Sequence, residues 1–164
     1  MAFKVFLSYG MDQDAQVTAW RLQTLGTSYG IDVFVPQRNG AHFPSSGRST
    51  AAVAEVQHAI DGSDCVLAII SGHSGPAVEA ELNYALQKQK PIIPIVQRGV
   101  ASRDFLAKFP RVFELTPRQD PKQLADIMQY LQQQKLGKEK QQQLGALVLA
   151  GLGLLFFWWS VSEK

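Results

Sequence analysis

Residues 65–96 read CVLAIISGHSGPAVEAELNYALQKQKPIIPIV, and the pattern in this stretch decides the fold. Its first six residues, CVLAII, form an unbroken apolar run rich in β-branched side chains, as in a strand covered on both faces. A small, Gly-rich stretch follows. Val78, Leu82, Ala85 and Leu86 then recur at helical spacing within residues 77–89, until Pro91 stops the helix. IIPIV at 92–96 is a second buried run. Strand, helix and strand in about 30 residues make one crossover between parallel strands, and such crossovers are right-handed.

The same unit repeats outward from there. FKVFL at 3–7, IDVFV at 31–35 and the weaker RVFEL at 111–115 supply three more strands. Asp12 and Asp14 open a helix whose inward set reads Val17, Trp20, Leu22 and Leu25, ending near Gly26 and Gly30. A second helix, over 49–60, presents Ala52, Val53, Val56, Ala59 and Ile60, and a last one, over 121–134, presents Leu124, Ile127, Met128 and Leu131. This alternation predicts the α/β class: a flavodoxin-like five-stranded parallel sheet of order 2-1-3-4-5 with flanking helices. In such a sheet ligands bind beyond the carboxyl ends of the strands, where the order reverses between strands 1 and 3. Those ends are Ser8-Tyr9-Gly10 and SGHSGP at 71–76.

The chain has 164 residues, enough for one domain and an extra element. A net charge of +2 with no clustered basic segment excludes nucleic acid as a partner. The single cysteine, Cys65, excludes an internal disulfide and a cysteine-built zinc site, and fits a reducing cytoplasm. MAFKVFLSYG is interrupted too early for a signal peptide, so the domain at 1–134 is expected on the cytoplasmic side. KLGKEKQQQ at 135–143 reads as a polar linker.

The run that follows, LGALVLAGLGLLFFWW at 144–159, carries no charged side chain. Extended to Val161 it makes roughly 27 Å of helix, against roughly 30 Å of bilayer hydrocarbon. Residues 144–161 are therefore expected to form a C-terminal hydrophobic helix that anchors the chain in a membrane. Lys135, Lys138 and Lys140 keep its near end cytoplasmic, and Trp158 and Trp159 suit the far interface. The competing reading is a buried helix in an oligomer core, for which Ala146 and Ala150 supply a small-residue contact.

Two carboxylates, Glu79 and Glu81, sit on the helix that opens at the expected ligand site. They lie two residues apart, so they point about 200° apart and cannot both face a cleft. Val78, Leu82 and Leu86 mark the buried side, which puts Glu81 nearer the cleft and Glu79 nearer solvent. A carboxylate beside a sugar can stabilise an oxocarbenium-like centre or attack it. The competing role is structural, since acidic residues in first turns favour the helix dipole.

The chain resembles a Toll/interleukin-1 receptor (TIR) domain, particularly the bacterial ones. FKVFLSYG is similar to the family's opening strand, GIDVFVPQRNGAHFPSSG to its second strand and BB loop, and HAIDGSDCVLAIIS to the helix and third strand. AVEAELNYAL is similar to the helix bearing the family's glutamate, and KPIIPIV to the fourth strand. The resemblance implies cleavage of the nicotinamide–ribose bond of NAD, giving nicotinamide plus ADP-ribose or a cyclic isomer, with Glu81 as the catalytic group. NAD is then the substrate, and no prosthetic group or metal is implied. GPAVEAELNYALQKQKPI also resembles nucleoside deoxyribosyltransferases, in which the corresponding glutamate attacks the anomeric carbon.

Around Glu81, the expected ligand contacts are Ser8 and Ser71 through their hydroxyls, Tyr9 through its ring, Tyr84 along the same wall as Glu81, and Arg38 and Arg48 on the pyrophosphate, with solvent exposure or contact with a neighbouring subunit as the competing role of the two arginines. For Tyr9 the competing role is a plug at the strand end. The chain departs from the family at Ala77, where many members carry Trp, and at Gly10, where a basic residue is common. His42 and His73 have no metal-ligating partners at suitable spacing and read as loop residues. Residues 36–48 form a loop longer than the usual αβ connection. In the resembled family this loop packs on a neighbouring domain, which implies homo-oligomerisation through 36–48 and activation by clustering in antiphage or toxin-like signalling. The alternatives are a TIR adaptor without catalysis and a nucleoside or nucleotide N-glycosidase.

Overall fold

A computed structural model of the chain describes residues 2–36, 50–72, 75–100, 107, 109, 111–116 and 121–141. Its elements run β1 (Phe3–Ser8), α1 (Gln13–Ser28), β2 (Ile31–Phe34), α2 (Thr50–Asp61), β3 (Cys65–Ile70), α3 (Gly75–Gln87), β4 (Ile92–Gln97), β5 (Phe113–Leu115) and α4 (Pro121–Gln141). The strands are parallel and lie in the order β2-β1-β3-β4-β5. The alternation of apolar runs with amphipathic helices thus folds as the pattern requires, with the reversal between β1 and β3.

Two apolar layers hold the sheet. Leu7, Leu67 and Ile95 pack with Leu22 of α1 and with Ile127 and Leu131 of α4. On the opposite face Phe6, Val66 and Ala68 pack with Ile60 of α2 and with Val78 and Leu82 of α3. Each central strand is buried on both sides, which is why β1, β3 and β4 read as continuous apolar runs.

Three expectations are corrected. Trp20 does not face the core: it is 57% exposed, and Ala15, Thr18, Ala19, Leu22 and Gly26 form the inner stripe of α1. Gly26 in that stripe lets the helix lie close to Val33 and Ile31 of β2, where a larger side chain would not fit. Ala52 of α2 is likewise exposed. The last helix does not stop at residue 134 but continues through Gln141, into the segment expected to be a linker. Lys, Gln and Glu are good helix formers, so loss of the apolar stripe ends packing without ending the helix. Residues 142–164, with the hydrophobic helix expected at 144–161, lie outside the described residues. Among the described residues, no helix is long and apolar enough to cross a membrane.

Candidate functional site

The carboxyl end of β1 presents two consecutive residues to opposite sides of the sheet, as the pleat demands. Ser8 points toward α3, where its hydroxyl donates to Glu81 Oε2 at 2.5 Å. Tyr9 points toward the α1 face, and its phenol donates to the carbonyl of Pro36 at 2.6 Å. The chain enters α3 through Gly75 at φ 74°, a left-handed turn that favours glycine. From there Val78, Glu81, Leu82 and Ala85 form the buried stripe of the helix. Glu81 is 2% exposed and Ser8 is fully buried, whereas Glu79 is exposed. The two glutamates are thus divided as their helical spacing predicts.

Burial of this pair is informative. Among the described residues four polar side chains are buried: Ser8, Thr18, Ser63 and Glu81. The Thr18 and Ser63 hydroxyls donate to backbone carbonyls a turn or less away, those of Asp14 and Ile60. Ser8 and Glu81 instead meet each other across the fold. Taking a carboxylate out of water costs several kcal/mol unless it is well hydrogen-bonded, so two apolar side chains would serve stability better here.

The other expected contacts are placed differently. Ser71 ends β3 on the α1 side, and its hydroxyl donates to Asp12 Oδ2 at 2.7 Å. Asp12 caps α1, accepting from the Ala15 amide at 2.8 Å, so Ser71 belongs to a separate cleft with Asp14, Thr18, Gln97 and Thr116. Tyr9, at 2% exposure, sits as a plug at the strand end. Tyr84 is turned away from Ser8 and Glu81: its phenol donates to the Asp61 carboxylate at 2.9 and 3.0 Å. Asp61 ends α2 just before the chain enters β3, near the amino ends of the parallel strands, whereas Ser8 lies at the carboxyl end of β1. Partial burial, and then the Asp61 carboxylate, push the Tyr84 phenol above its ordinary 10, while Lys88, 5.4 Å from the ring centre, acts in the other direction. Arg38, Arg48, His42 and His73 lie outside the described residues.

The sequence profile of the TIR domain family matches residues 5–128. The chain belongs to the TIR domain family. Its solved neighbours share the fold of this TIR domain at low identity. A 2-deoxyribosyltransferase from Bacillus psychrosaccharolyticus has 15% identity and a TM-score of 0.55, covering 76% of this chain and 90% of its own. The CMP N-glycosidase BcmB from Clostridium botulinum has 17% identity and a TM-score of 0.54, with 77% and 98% covered. A conserved protein from Enterococcus faecalis has 15% identity and a TM-score of 0.55, with 82% and 99% covered. No curated protein sequence matches this chain.

Two features of the TIR domain site escape sequence reasoning: the partnership of Ser8 with Glu81 and that of Ser71 with Asp12. The first joins groups 73 residues apart and carries no sequence signal. The second carries none either, since the cap position of Asp12 signals its bond from the Ala15 amide and not the one from Ser71.

Proposed function

We propose that this TIR domain cleaves the N-glycosidic bond between nicotinamide and ribose in NAD, with Glu81 as the catalytic carboxylate. The observation that carries this reading is the buried Ser8–Glu81 pair at the reversal point of the sheet, where the sequence expects a ligand. In the reaction the bond from ribose C1′ to the nicotinamide nitrogen breaks, and its electron pair leaves with nicotinamide. The positive charge that develops on the ribosyl ring is stabilised, or its C1′ attacked, by Glu81. Water, giving up a proton, or a nucleophile within the same molecule then adds at C1′, giving ADP-ribose or a cyclic isomer.

The 2% exposure of Glu81 in a single chain supports activation by assembly. Packing of residues 36–48 on a neighbouring copy opens the way to the carboxylate, and Arg38 and Arg48 on that loop take the pyrophosphate. Residues 144–161 anchor the chain in a membrane with the domain on the cytoplasmic side. A second reading, an N-glycosidase acting on nucleosides or nucleotides, is favoured by two of the fold neighbours, a 2-deoxyribosyltransferase and a CMP N-glycosidase.

The Glu81→Gln variant tests the mechanism. It keeps the side-chain shape and the ability to accept from Ser8 while removing the charge, and its expected effect is a loss of nicotinamide release of roughly a thousandfold with the melting temperature maintained. Undiminished release by this variant rejects the role of Glu81. Parallel incubation of the parent with NAD, deoxynucleosides and CMP separates the two readings.

A further inference from the structure

We infer that Ser8 is a positioning residue, whose hydroxyl orients the Glu81 carboxylate toward the ribosyl centre instead of contacting the ligand itself. The inference rests on the proposed role of Glu81 and assigns Ser8 a task different from the ligand contact the sequence suggested.

The geometry carries it in three steps. The terminal torsion of a glutamate is broad, so the aliphatic stem does not by itself set the plane of the carboxylate. A donor at 2.5 Å on Oε2, itself fully buried on a strand of the central sheet, selects one plane. The donor is also held more rigidly than a loop residue could hold it. Phe6, Leu7 and Ser8 pair with Val66, Leu67 and Ala68 of β3, so the hydroxyl inherits the rigidity of the sheet. Rotation of the carboxylate away from C1′ would then cost the hydrogen bond, leaving a buried hydroxyl and a buried carboxylate less well satisfied.

Preorganisation of this kind acts in the transition state. Before bond cleavage the ribose carries little charge for the carboxylate to meet; as nicotinamide leaves, charge grows at C1′ and the orientation of the carboxylate counts. Loss of Ser8 is therefore read in kcat and not in KM. The bond equally suits the nucleoside reading, because there too a carboxylate meets the anomeric carbon.

The test uses the full chain and three serine replacements. Ser8→Ala removes the donor without adding volume, Ser8→Cys leaves a weak donor, and Ser8→Thr restores the hydroxyl. The expected result is a fall of kcat for nicotinamide release by roughly tenfold to a hundredfold in Ser8→Ala, with KM within about twofold and the melting temperature nearly unchanged. Ser8→Cys is expected between Ala and the parent, and Ser8→Thr is expected to recover most of the rate. A Ser8→Ala enzyme with the parental kcat, or one impaired in KM alone, overturns the inference. A crystal structure of Ser8→Ala reads the positioning without turnover: the expected finding is a carboxylate rotated from its parental plane or split between orientations, and a single unchanged orientation overturns the inference. A parent that releases no base from NAD, deoxynucleosides or CMP counts against the enzyme reading, while the structural comparison still decides the role of Ser8.

Discussion

Glu79 and Glu81 differ by two positions on one helix, yet one is solvated and the other is buried against the end of β1. Helical periodicity made that division legible, because Val78, Leu82 and Ala85 show which side of α3 meets the sheet. Periodicity could not show what Glu81 touches. Tyr84 makes the same point from the opposite side: three residues after Glu81, it shares the broad face of the helix, but its long side chain reaches along α3 to Asp61. That contact has a consequence for pH. The phenol is held above its ordinary 10, so the folded chain retains this proton at a pH where the unfolded chain has released it. The stability contributed by the contact is complete below about pH 10 and is lost as pH rises through the raised value. Urea unfolding at about pH 8 and about pH 10.5 is expected to show a steeper loss for the parent than for Tyr84→Phe. Equal pH slopes would show that the folded chain does not hold the phenol above its ordinary value.

Among the elements, α1 departs most from its sequence reading. Trp20 and Leu25 suggested a bulky inner face, but Ala15, Ala19 and Gly26 face the core, and at Gly26 the helix approaches β2 closely. A Cβ placed on Gly26 would lie 2.7 Å from Val33 Cγ2 and 3.0 Å from the Ile31 carbonyl oxygen, both belonging to buried residues of β2. Alanine normally gains about 1 kcal/mol over glycine inside a helix, while overpacking costs about 1–3 kcal/mol. Gly26→Ala is expected to lower stability by up to about 2 kcal/mol, the steric cost less the helix gain. A raised melting temperature for this variant would show that β2 yields. Strand β4 obeys a similar local rule. Its contact with β3, where the Val66 amide donates to the Pro91 carbonyl at 2.8 Å, turns the ring nitrogen of Pro94 away from β3. Pairing with β5 begins only at Ile95, so the missing amide of Pro94 interrupts no ladder.

Over the whole molecule, the TIR domain and the charge-free run at 144–159 together shape the proposed behaviour. Confinement to a surface raises local concentration, and a site that opens on contact between copies responds steeply to it. Removal of residues 144–164 is expected to shift the protein from the membrane pellet to the supernatant, and to lower nicotinamide release per molecule at dilute protein on liposomes. A truncated chain that still pellets with membranes would argue against the anchor.

The class and the division of Glu81 from the solvated Glu79 were readable from residue patterns, whereas the strand order came by analogy with flavodoxin-like sheets and is decided by the tertiary pairing. The first two depend on periods of two and 3.6 residues and on where apolar runs begin and end, which are local properties of the chain. The partners of the polar groups were not readable. Ser8 with Glu81, Tyr9 with Pro36, Ser71 with Asp12 and Tyr84 with Asp61 are separated by 73, 27, 59 and 23 residues. Each forms only because packing the helices on a twisted sheet brings those side chains within about 3 Å, a distance at which a hydrogen bond is made or missed by less than the width of an atom.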